Sequence, residues 1–534
     1  MLLIKRIESC RQYSSTVLSS ILKSKKTSIL PKHPSKGHAN HVCEPAVTRF
    51  APSPTGMLHL GSLRTALYNY LLAKKTDGKF ILRIEDTDRS RLKDGAMDNI
   101  YNSLKWCNLK WDEGPYLQSE RTDIYRKHIN HLIETGRAYR CFCTKERLDD
   151  LRQSALRLVP PTNVSYDRHC AHLSEGEIKS KLDQGIPFTV RFKAPEKYPP
   201  FEDLLHGKID LQPQQNPSDI RYDDPILMKS DNYPTYHLAN VIDDHDMKIS
   251  HVIRGEEWLP STPKHIALYE AFGWKPPKFT HLPLLTTTED KKLSKRRNDM
   301  SVMSLKEQGI LPEALVNFSV LFGWSPPREL ASKNHECFTL QEFENLFDLD
   351  SLTKGNAKVD MKKLWFFNKH FLGKKLEDPT FIDAVLPTIV KTIRDKYENV
   401  TELEEKVKTI LIENGKVLSN INEFDTVFYY FFEKPNFESN EQSQEFLSKY
   451  DNKVASTILQ YTRSILSEGS LTKDLVNDLS SKFNVPKKTI FQTLRFALAG
   501  SHPGAAVPVL FKVLGVSEAQ ERIANAIQIL EHSL

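Results

Sequence analysis

The first clear rhythm of apolar residues lies at 62–75. In SLRTALYNYLLAKK, Leu63, Ala66, Leu67, Tyr70 and Leu71 recur at three- and four-residue spacing, which gives a helix one apolar face. Gly78 stops that helix. Phe80, Leu82 and Ile84 then alternate with Ile81, Arg83 and Glu85, the pattern of a partly buried strand. Upstream, residues 46–52 read as a short extended stretch ending at Pro52, and SPTG at 53–56 as a turn. Strand, helix and strand in this order predict a right-handed crossover and a parallel sheet.

Residues 140–235 break the rhythm. They are rich in proline and charge, with PP pairs at 160–161 and 199–200, and predict an insertion with its own small fold. Strand-like HVIRG follows at 251–255 and helix-like STPKHIALYEAFGW at 261–274. Beyond about residue 375 the signals are helical, with 3.6-residue periodicity near 402–413, 453–467 and 507–532. The polar stretch PNFESNEQSQEF, 435–446, reads as a loop. No internal repeat is visible, and no run of about 18 apolar residues suggests a membrane span.

At 534 residues the chain is long enough for three or four domains, taking about 150 residues for each. Its 39% hydrophobic and 27% charged residues are those of an ordinary globular protein. The formal charge of +6 invites a nucleic-acid reading, but it is concentrated at one end. Residues 1–40 hold eight basic groups and one acid, Glu8, so they carry +7 and the remainder carries −1. Any RNA contact must then come from local patches. The same segment is serine-rich, with apolar residues interleaved among the basic ones, which is the composition of a mitochondrial transit peptide. The alternative is a basic tail that binds RNA or lipid. Seven cysteines in a long chain without a secretory signal point to reduced thiols or metal ligands rather than a disulfide framework.

Two motifs carry candidate chemistry. RFAPSPTGMLHLGS, 49–62, is a Pro- and Gly-rich strand-to-helix turn with His59 at its tip. Such a turn aims backbone N–H groups at a phosphate, and Gly61 permits close approach of a nucleotide. DKKLSKRRND, 290–299, surrounds one serine with basic residues that can hold a triphosphate and stabilise charge on leaving pyrophosphate. Taken singly, the first could be a structural turn and the second a solvated charged loop.

Together they resemble the HIGH and KMSKS signatures of class I aminoacyl-tRNA synthetases, in the right order. ILRIEDTDRSR at 81–91, YHLANVIDDH at 236–245, HVIRGEEWLPSTPKH at 251–265, LPEALVNFSVLFGWSP at 311–326 and LRFALAGSHPGA at 494–505 are similar to blocks of the glutamyl-tRNA synthetase family. The likeness runs from about residue 46 to the end. HLGS, with Ser62 in the last place, and KLSKR, ending at Arg296, are variants common in that subfamily.

The resemblance implies an α/β fold. It comprises a Rossmann-like parallel-sheet catalytic domain with an inserted α/β subdomain, then an all-α C-terminal anticodon-binding domain. The expected boundaries are a transit peptide and linker at 1–42, catalytic halves at 43–125 and 236–290, and a connective insertion binding the tRNA acceptor end at 126–235. A KMSKS-like loop and stem-contact region follows at 291–375, and the anticodon-binding domain at 376–534. The implied activity is ATP-dependent attachment of L-glutamate to tRNA-Glu, and by extension to tRNA-Gln, by a monomer in the mitochondrial matrix, with no membrane partner. The rival readings are an inactive RNA-binding paralogue, an enzyme that glutamylates a modified base, and a glutaminyl ligase. The helical tail argues against the last two.

Glutamate offers two carboxylates and one ammonium, so its site needs fixed cations and an anion. The resemblance implies Arg49 and Arg254 as the cations, with Arg254 on the side-chain carboxylate, and Glu85 as the anion. Ala51, Ser53, Tyr236 and Asn240 complete the glutamate site, the last two lying at i and i+4 of one helix. It further implies ATP, accompanied by Mg²⁺, on His59, Gly61, Glu257, Lys292, Leu293, Ser294, Lys295 and Arg296. Of these, His59, Lys292 and Lys295 would be the catalytic groups. Cys141, Cys143, Cys170 and His172 are three thiols and an imidazole, a tetrahedral zinc set, and some bacterial members carry such a site. The other reading is reduced, unligated cysteines.

Overall fold

The computed structural model describes residues 44–289, 301–334, 336–397, 400, 402–467, 475–500 and 505–532. The expected transit segment and the basic motif at 290–299, with Lys292, Leu293, Ser294, Lys295 and Arg296, lie outside them. The chain forms two compact units. One is residues 1–306 with 315–360, the other 307–314 with 361–534.

The first unit begins β1 (Val47–Phe50), α1 (Leu60–Lys75), β2 (Lys79–Ile84), α2 (Ala96–Trp106), β3 (Glu113–Leu117). The three strands are parallel in the order β1-β2-β3. Gly78 does more than stop α1. A Cβ there would lie 1.9 Å from the Ala46 carbonyl oxygen, so only glycine lets α1 return this close to the start of β1. β2 is buried on both faces from Phe80 to Ile84, not half-buried as its alternation suggests. A parallel strand is covered from both sides, and the polar Arg83 within it is accommodated by ion pairs described below.

After α3 (Thr122–Glu134) come β4 (Ala138–Cys141), α4 (Lys145–Leu156), α5 (Glu175–Asp183), β5 (Thr189–Phe192), β6 (Phe201–Asp203), β7 (Gly207–Ile209) and β8 (Ile226–Met228). Here β4, β5 and β8 form a separate antiparallel sheet. α6 (Tyr236–Asp246), β9 (His251–Gly255), α7 (Thr262–Ala271) and β10 (Lys278–Leu282) then return to parallel topology. The order of that sheet is β7-β6-β10-β9, so β6 and β7 extend it.

The two parallel sheets meet at β1 and β9. The backbone N–H of Ser250 donates to the Val47 carbonyl at 2.9 Å, and the Val47 N–H donates to the Ser250 hydroxyl at 2.8 Å. Buried Asn69 of α1 bridges both sheets: its amide donates to the Ile253 carbonyl, and its own carbonyl accepts from the Thr48 hydroxyl. From β1 the sheet runs one way through β2 and β3, and from β9 the other way through β10 and β6. The carboxyl ends of β1 and β9 therefore flank a topological switch point, where open α/β sheets bind their ligands.

The second unit is helical. Helices at Leu403–Asn414, Asn452–Ser467 and Val507–His532 match the periodic segments, the last broken at Gly515 with φ +74°. The stretch read as a loop at 435–446 contains the start of a helix, Glu441–Lys449. Asn440 caps it by accepting from the N–H groups of Gln442 and Ser443, and Phe446 is fully buried. Phe446 and the partly buried Leu447 seat that helix, and two adjacent apolar residues are too weak a signal for periodicity.

Candidate functional site

The turn after β1 carries Ala51 and Ser53 past the sheet edge. The Glu85 backbone N–H, just beyond β2, donates to the Pro52 carbonyl at 3.0 Å and pins that turn to the end of β2. His59 is the N-cap of α1: its Nδ1 accepts from the Ser62 N–H at 3.3 Å, and its Nε2 lies 3.1 Å from the Ser62 hydroxyl. Ser62, in the place of a second histidine, thus orients the first. A Cβ on Gly61 would sit 3.3 Å from the His59 ring, so the glycine leaves the imidazole room.

Arg49 on β1 is 4% exposed, and its Nε donates to Asp244 at 3.1 Å. Arg83 on β2 is fully buried. It donates to Asp244 at 2.7 Å and to Glu85 at 3.3 Å, and lies 3.8 Å from Asp243. Asp243 also accepts from Gln118, Arg121 and Tyr125 at 2.8–2.9 Å. The Asn240 amide satisfies both neighbours when its oxygen accepts from Arg83 at 3.0 Å and its nitrogen donates to Asp244 at 3.2 Å. Tyr236, Asn240, Asp243 and Asp244 lie at i, i+4, i+7 and i+8 of α6, so one helical face supplies them all.

Burial pushes the Asp244 carboxyl up, but Arg49 and Arg83 together overturn this and hold it below the ordinary range. Burial also raises the Glu85 carboxyl, and there Arg83 and Arg49 offset the effect only in part. The two carboxylates share one guanidinium, and Asp244 takes the shorter bond.

On β9, Arg254 is 4% exposed and donates to the Tyr236 hydroxyl at 3.0 Å. The Tyr236 ring packs on Trp258 with centroids 4.1 Å apart. Glu257 follows in the turn after β9 and folds over Gly255, where a Cβ would strike its carboxylate. Arg49, Glu85, Tyr236, Asn240 and Arg254 thus come together at the carboxyl ends of β1, β2 and β9. Arg83, Asp243 and Asp244 were not singled out from the sequence. Their signal was faint: DD at 243–244 one turn past Asn240, and an arginine inside an apolar strand.

A cavity of about 560 Å³ opens from Tyr236, His237, Trp258 and Lys264 toward Tyr166 and Arg191 of the antiparallel-sheet region. Beyond Tyr166 lies the thiol cluster. Cys141, Cys143 and Cys170 place their sulfurs within 4.8 Å of one another. His172 does not join this group. The Tyr166 hydroxyl takes its place, 3.3 Å from the Cys141 sulfur and 3.5 Å from that of Cys143. Hydrogen bonds from Cys143 and Cys170 pull the Cys141 thiol down, and Arg191 Nε donates to it at 3.3 Å. His172 ends the short turn that carries Cys170, while Tyr166 sits one turn upstream with its ring on the Arg191 guanidinium.

The family model for the catalytic domain of class I tRNA synthetases (E and Q) matches residues 45–366, and that for an anticodon binding domain matches 364–527. The mitochondrial glutamate–tRNA ligase of Saccharomyces cerevisiae is 58% identical over 92% of this chain and 92% of its own length. The glutamate–tRNA ligase of Clostridioides difficile is 39% identical over 89% of this chain and 98% of its own. The crystal structure of a glutamate tRNA ligase from Elizabethkingia meningosepticum in complex with its amino acid superposes with a TM-score of 0.77. It is 33% identical and covers 91% of this chain and all of that one.

Proposed function

The chain belongs to the glutamate–tRNA ligase family of class I aminoacyl-tRNA synthetases, and on that premise we propose that it charges tRNA-Glu with L-glutamate in mitochondrial translation. The observation that carries this reading is one carboxylate, Glu85, set among Arg49, Tyr236, Asn240 and Arg254 at the switch point of the sheet. Glu85 takes the substrate ammonium. Arg49 and Arg254 take the two carboxylates, Arg254 with Tyr236 on the side chain, and the turn at Ala51 and Ser53 closes over the substrate. A charge-assisted bond of this kind contributes about 1.5–3 kcal/mol.

The reaction needs no side-chain nucleophile. The glutamate α-carboxylate attacks the α-phosphate of ATP, pyrophosphate leaves, and the terminal ribose of the tRNA then takes the glutamyl group from AMP. Positioning and charge stabilisation do the work. ATP with Mg²⁺ lies over the N-terminus of α1 at His59 and Gly61, with Glu257 on the nucleoside. Lys292, Leu293, Ser294, Lys295 and Arg296 hold the phosphates. The tRNA 3′ end enters by the cavity beside Tyr236 and Trp258, held by the inserted region. The second unit reads the anticodon.

The thiol cluster fits a structural zinc ion with Cys141, Cys143 and Cys170 as sulfur ligands and the Tyr166 hydroxyl in place of His172. The 3.5 Å separation of the Cys143 and Cys170 sulfurs suits two thiolates on one ion, each about 2.3 Å away. The protein works as a monomer in the matrix. It also charges tRNA-Gln with glutamate for later amidation.

The test is aminoacylation with labelled glutamate on separate mitochondrial tRNA-Glu and tRNA-Gln transcripts, with labelled glutamine in parallel. Glutamate on both tRNAs and glutamine on neither is the expected result. Charging of tRNA-Glu alone removes the tRNA-Gln assignment. No glutamate on either, with ATP and Mg²⁺ present, overturns the ligase reading in favour of an RNA-binding paralogue.

A further inference from the structure

We infer that the buried Asp203–His281 pair is a positioning device for Arg254, holding its guanidinium from behind with a neutral acceptor so that the cation is oriented but not neutralised. This rests on the reading that Arg254 faces the side-chain carboxylate of glutamate. The three residues lie on three adjacent strands. His281 of β10 is the ladder partner of Arg254 on β9, and Asp203 of β6 pairs with Phe279, two positions before His281. Asp203, His281 and Arg254 are 1%, 0% and 4% exposed.

Hydrogen-bond chemistry fixes the protons. Arginine has donors only, so the His281 Nε2, 3.1 Å from the Arg254 Nε, must accept. The ring proton is then on Nδ1, 2.7 Å from Asp203 Oδ2. Asp203 is itself held by the N–H groups of Leu205 and His206 at 2.9 Å and of His281 at 3.1 Å. The same reasoning covers the other edge of the guanidinium. His265 Nδ1 accepts from Arg254 at 3.2 Å, so its Nε2–H donates to His237 Nδ1 at 3.0 Å. Thr262 accepts at 2.7 Å. Burial lowers His281 and His237 to about 4 and His265 well below its ordinary value, so all three rings are neutral.

Arg49 and Arg83 each bond a carboxylate directly. Among the described residues Arg254 bonds none: its partners are imidazole, hydroxyl and carbonyl groups, and Asp203 stands one imidazole away. A bond from Asp203 straight to Arg254 would hold the guanidinium equally well but cancel its charge. Interposing a neutral ring keeps both the aim and the charge. An aimed, uncompensated cation distinguishes a carboxylate from the amide of glutamine, which brings no charge to pair with it.

The test compares His281→Leu, His281→Gln, Arg254→Gln and the double variant Arg254→Gln/His281→Leu in tRNA-dependent ATP–pyrophosphate exchange, reading KM for glutamate and for ATP separately. Expected is a rise of about tenfold in the glutamate KM for His281→Leu, the loss of one charge-assisted hydrogen bond, with the ATP KM unchanged. His281→Gln keeps an acceptor for the Arg254 Nε and should restore most of it. In the Arg254→Gln background the His281 effect should vanish. A normal glutamate KM in His281→Leu, beside a raised one in Arg254→Gln, overturns the positioning role and leaves the Arg254 reading intact. A normal glutamate KM in Arg254→Gln overturns both. If His281→Leu does not fold, His281→Gln against His281→Glu decides: the carboxylate variant should raise the glutamate KM above the amide variant, and equal values refute the inference.

Discussion

Replacing Asp244 by asparagine removes from a buried cluster the one carboxylate that bonds both Arg49 and Arg83. Arg49, Arg83 and Arg121 face Asp243, Asp244 and Glu85, and the side chains of Arg83, Asp243 and Asp244 are 0%, 0% and 1% exposed. The variant keeps the shape but deprives Arg49 and Arg83 of the carboxylate they share. Breaking one partner of a buried pair costs about 3–5 kcal/mol, and the remaining amide oxygen places Asp244→Asn at the low end, about 3 kcal/mol. Urea unfolding followed by tryptophan fluorescence isolates this effect. Trp106, Trp111, Trp258, Trp274 and Trp324, five of the six tryptophans, belong to the first unit. With an m-value of about 3 kcal/mol/M the midpoint should fall by about 1 M. The glutamate KM should rise as well, because Arg49 loses its tether. The pH dependence follows from sign. The folded-state Asp244 carboxyl is held low, so its stabilisation is present above the unfolded pKa, about 3.9, and lost as pH falls through the lower folded value. The wild-type advantage should therefore be constant from neutrality to mild acid and close only in strong acid. An unchanged urea midpoint at neutral pH would refute the account of the cluster.

Glu85→Gln should raise the glutamate KM at least tenfold without lowering the urea midpoint, since burial already disfavours the charge it removes; a destabilised variant with normal KM contradicts that role. Cys170→Ser should reduce bound zinc in purified protein from about one equivalent to near none, by atomic absorption. A zinc-free, fully active wild type dismisses the metal. Lys295→Ala should slow single-turnover adenylate formation at least tenfold by loss of transition-state charge stabilisation, and an unchanged rate removes the lysine from the chemistry. Gly78→Ala, whose methyl meets the Ala46 carbonyl, should cost more than about 3 kcal/mol in urea unfolding; a normal midpoint would show that α1 can shift away.

Periodicity made the helices legible, because a helix that buries one face writes that face at fixed spacing. α1 is found this way although it is buried on most sides, with Asn69 and Arg64 among its buried residues. β2 was harder. Its alternation suggests one wet face, but the residues that cover the second face come from elsewhere in the chain. The same is true of Arg83, whose partners Asp243 and Asp244 lie some 160 residues away on α6. The side chains proposed to touch substrate were legible because they sit in motifs. Those that hold them were not, because a buried ion pair has no local spacing. Tyr166 shows the same limit: C-x-C and C-x-H spacing points to His172, and only the folded turn reveals that the phenol faces the sulfurs.

The sharing of Arg83 between two carboxylates explains why one is structural and the other suited to a substrate. Asp244 receives bonds from both Arg83 and Arg49, and the Asn240 amide completes its shell. Its charge is satisfied before any ligand arrives. Glu85 takes the longer bond to Arg83, and burial keeps its carboxyl above the ordinary range despite two nearby arginines. A largely desolvated carboxylate in that condition gains most from an incoming cation, because the cost of desolvating its charge is met whether or not the cation comes. On the other side of the site the logic is inverted: Arg254 is a buried cation whose protein partners are neutral. An amino acid with one ammonium and a side-chain carboxylate supplies the missing charge to both at once. On the proposed reading, a substrate lacking either charge leaves Glu85 or Arg254 uncompensated, so selectivity rests on both charges being met at once.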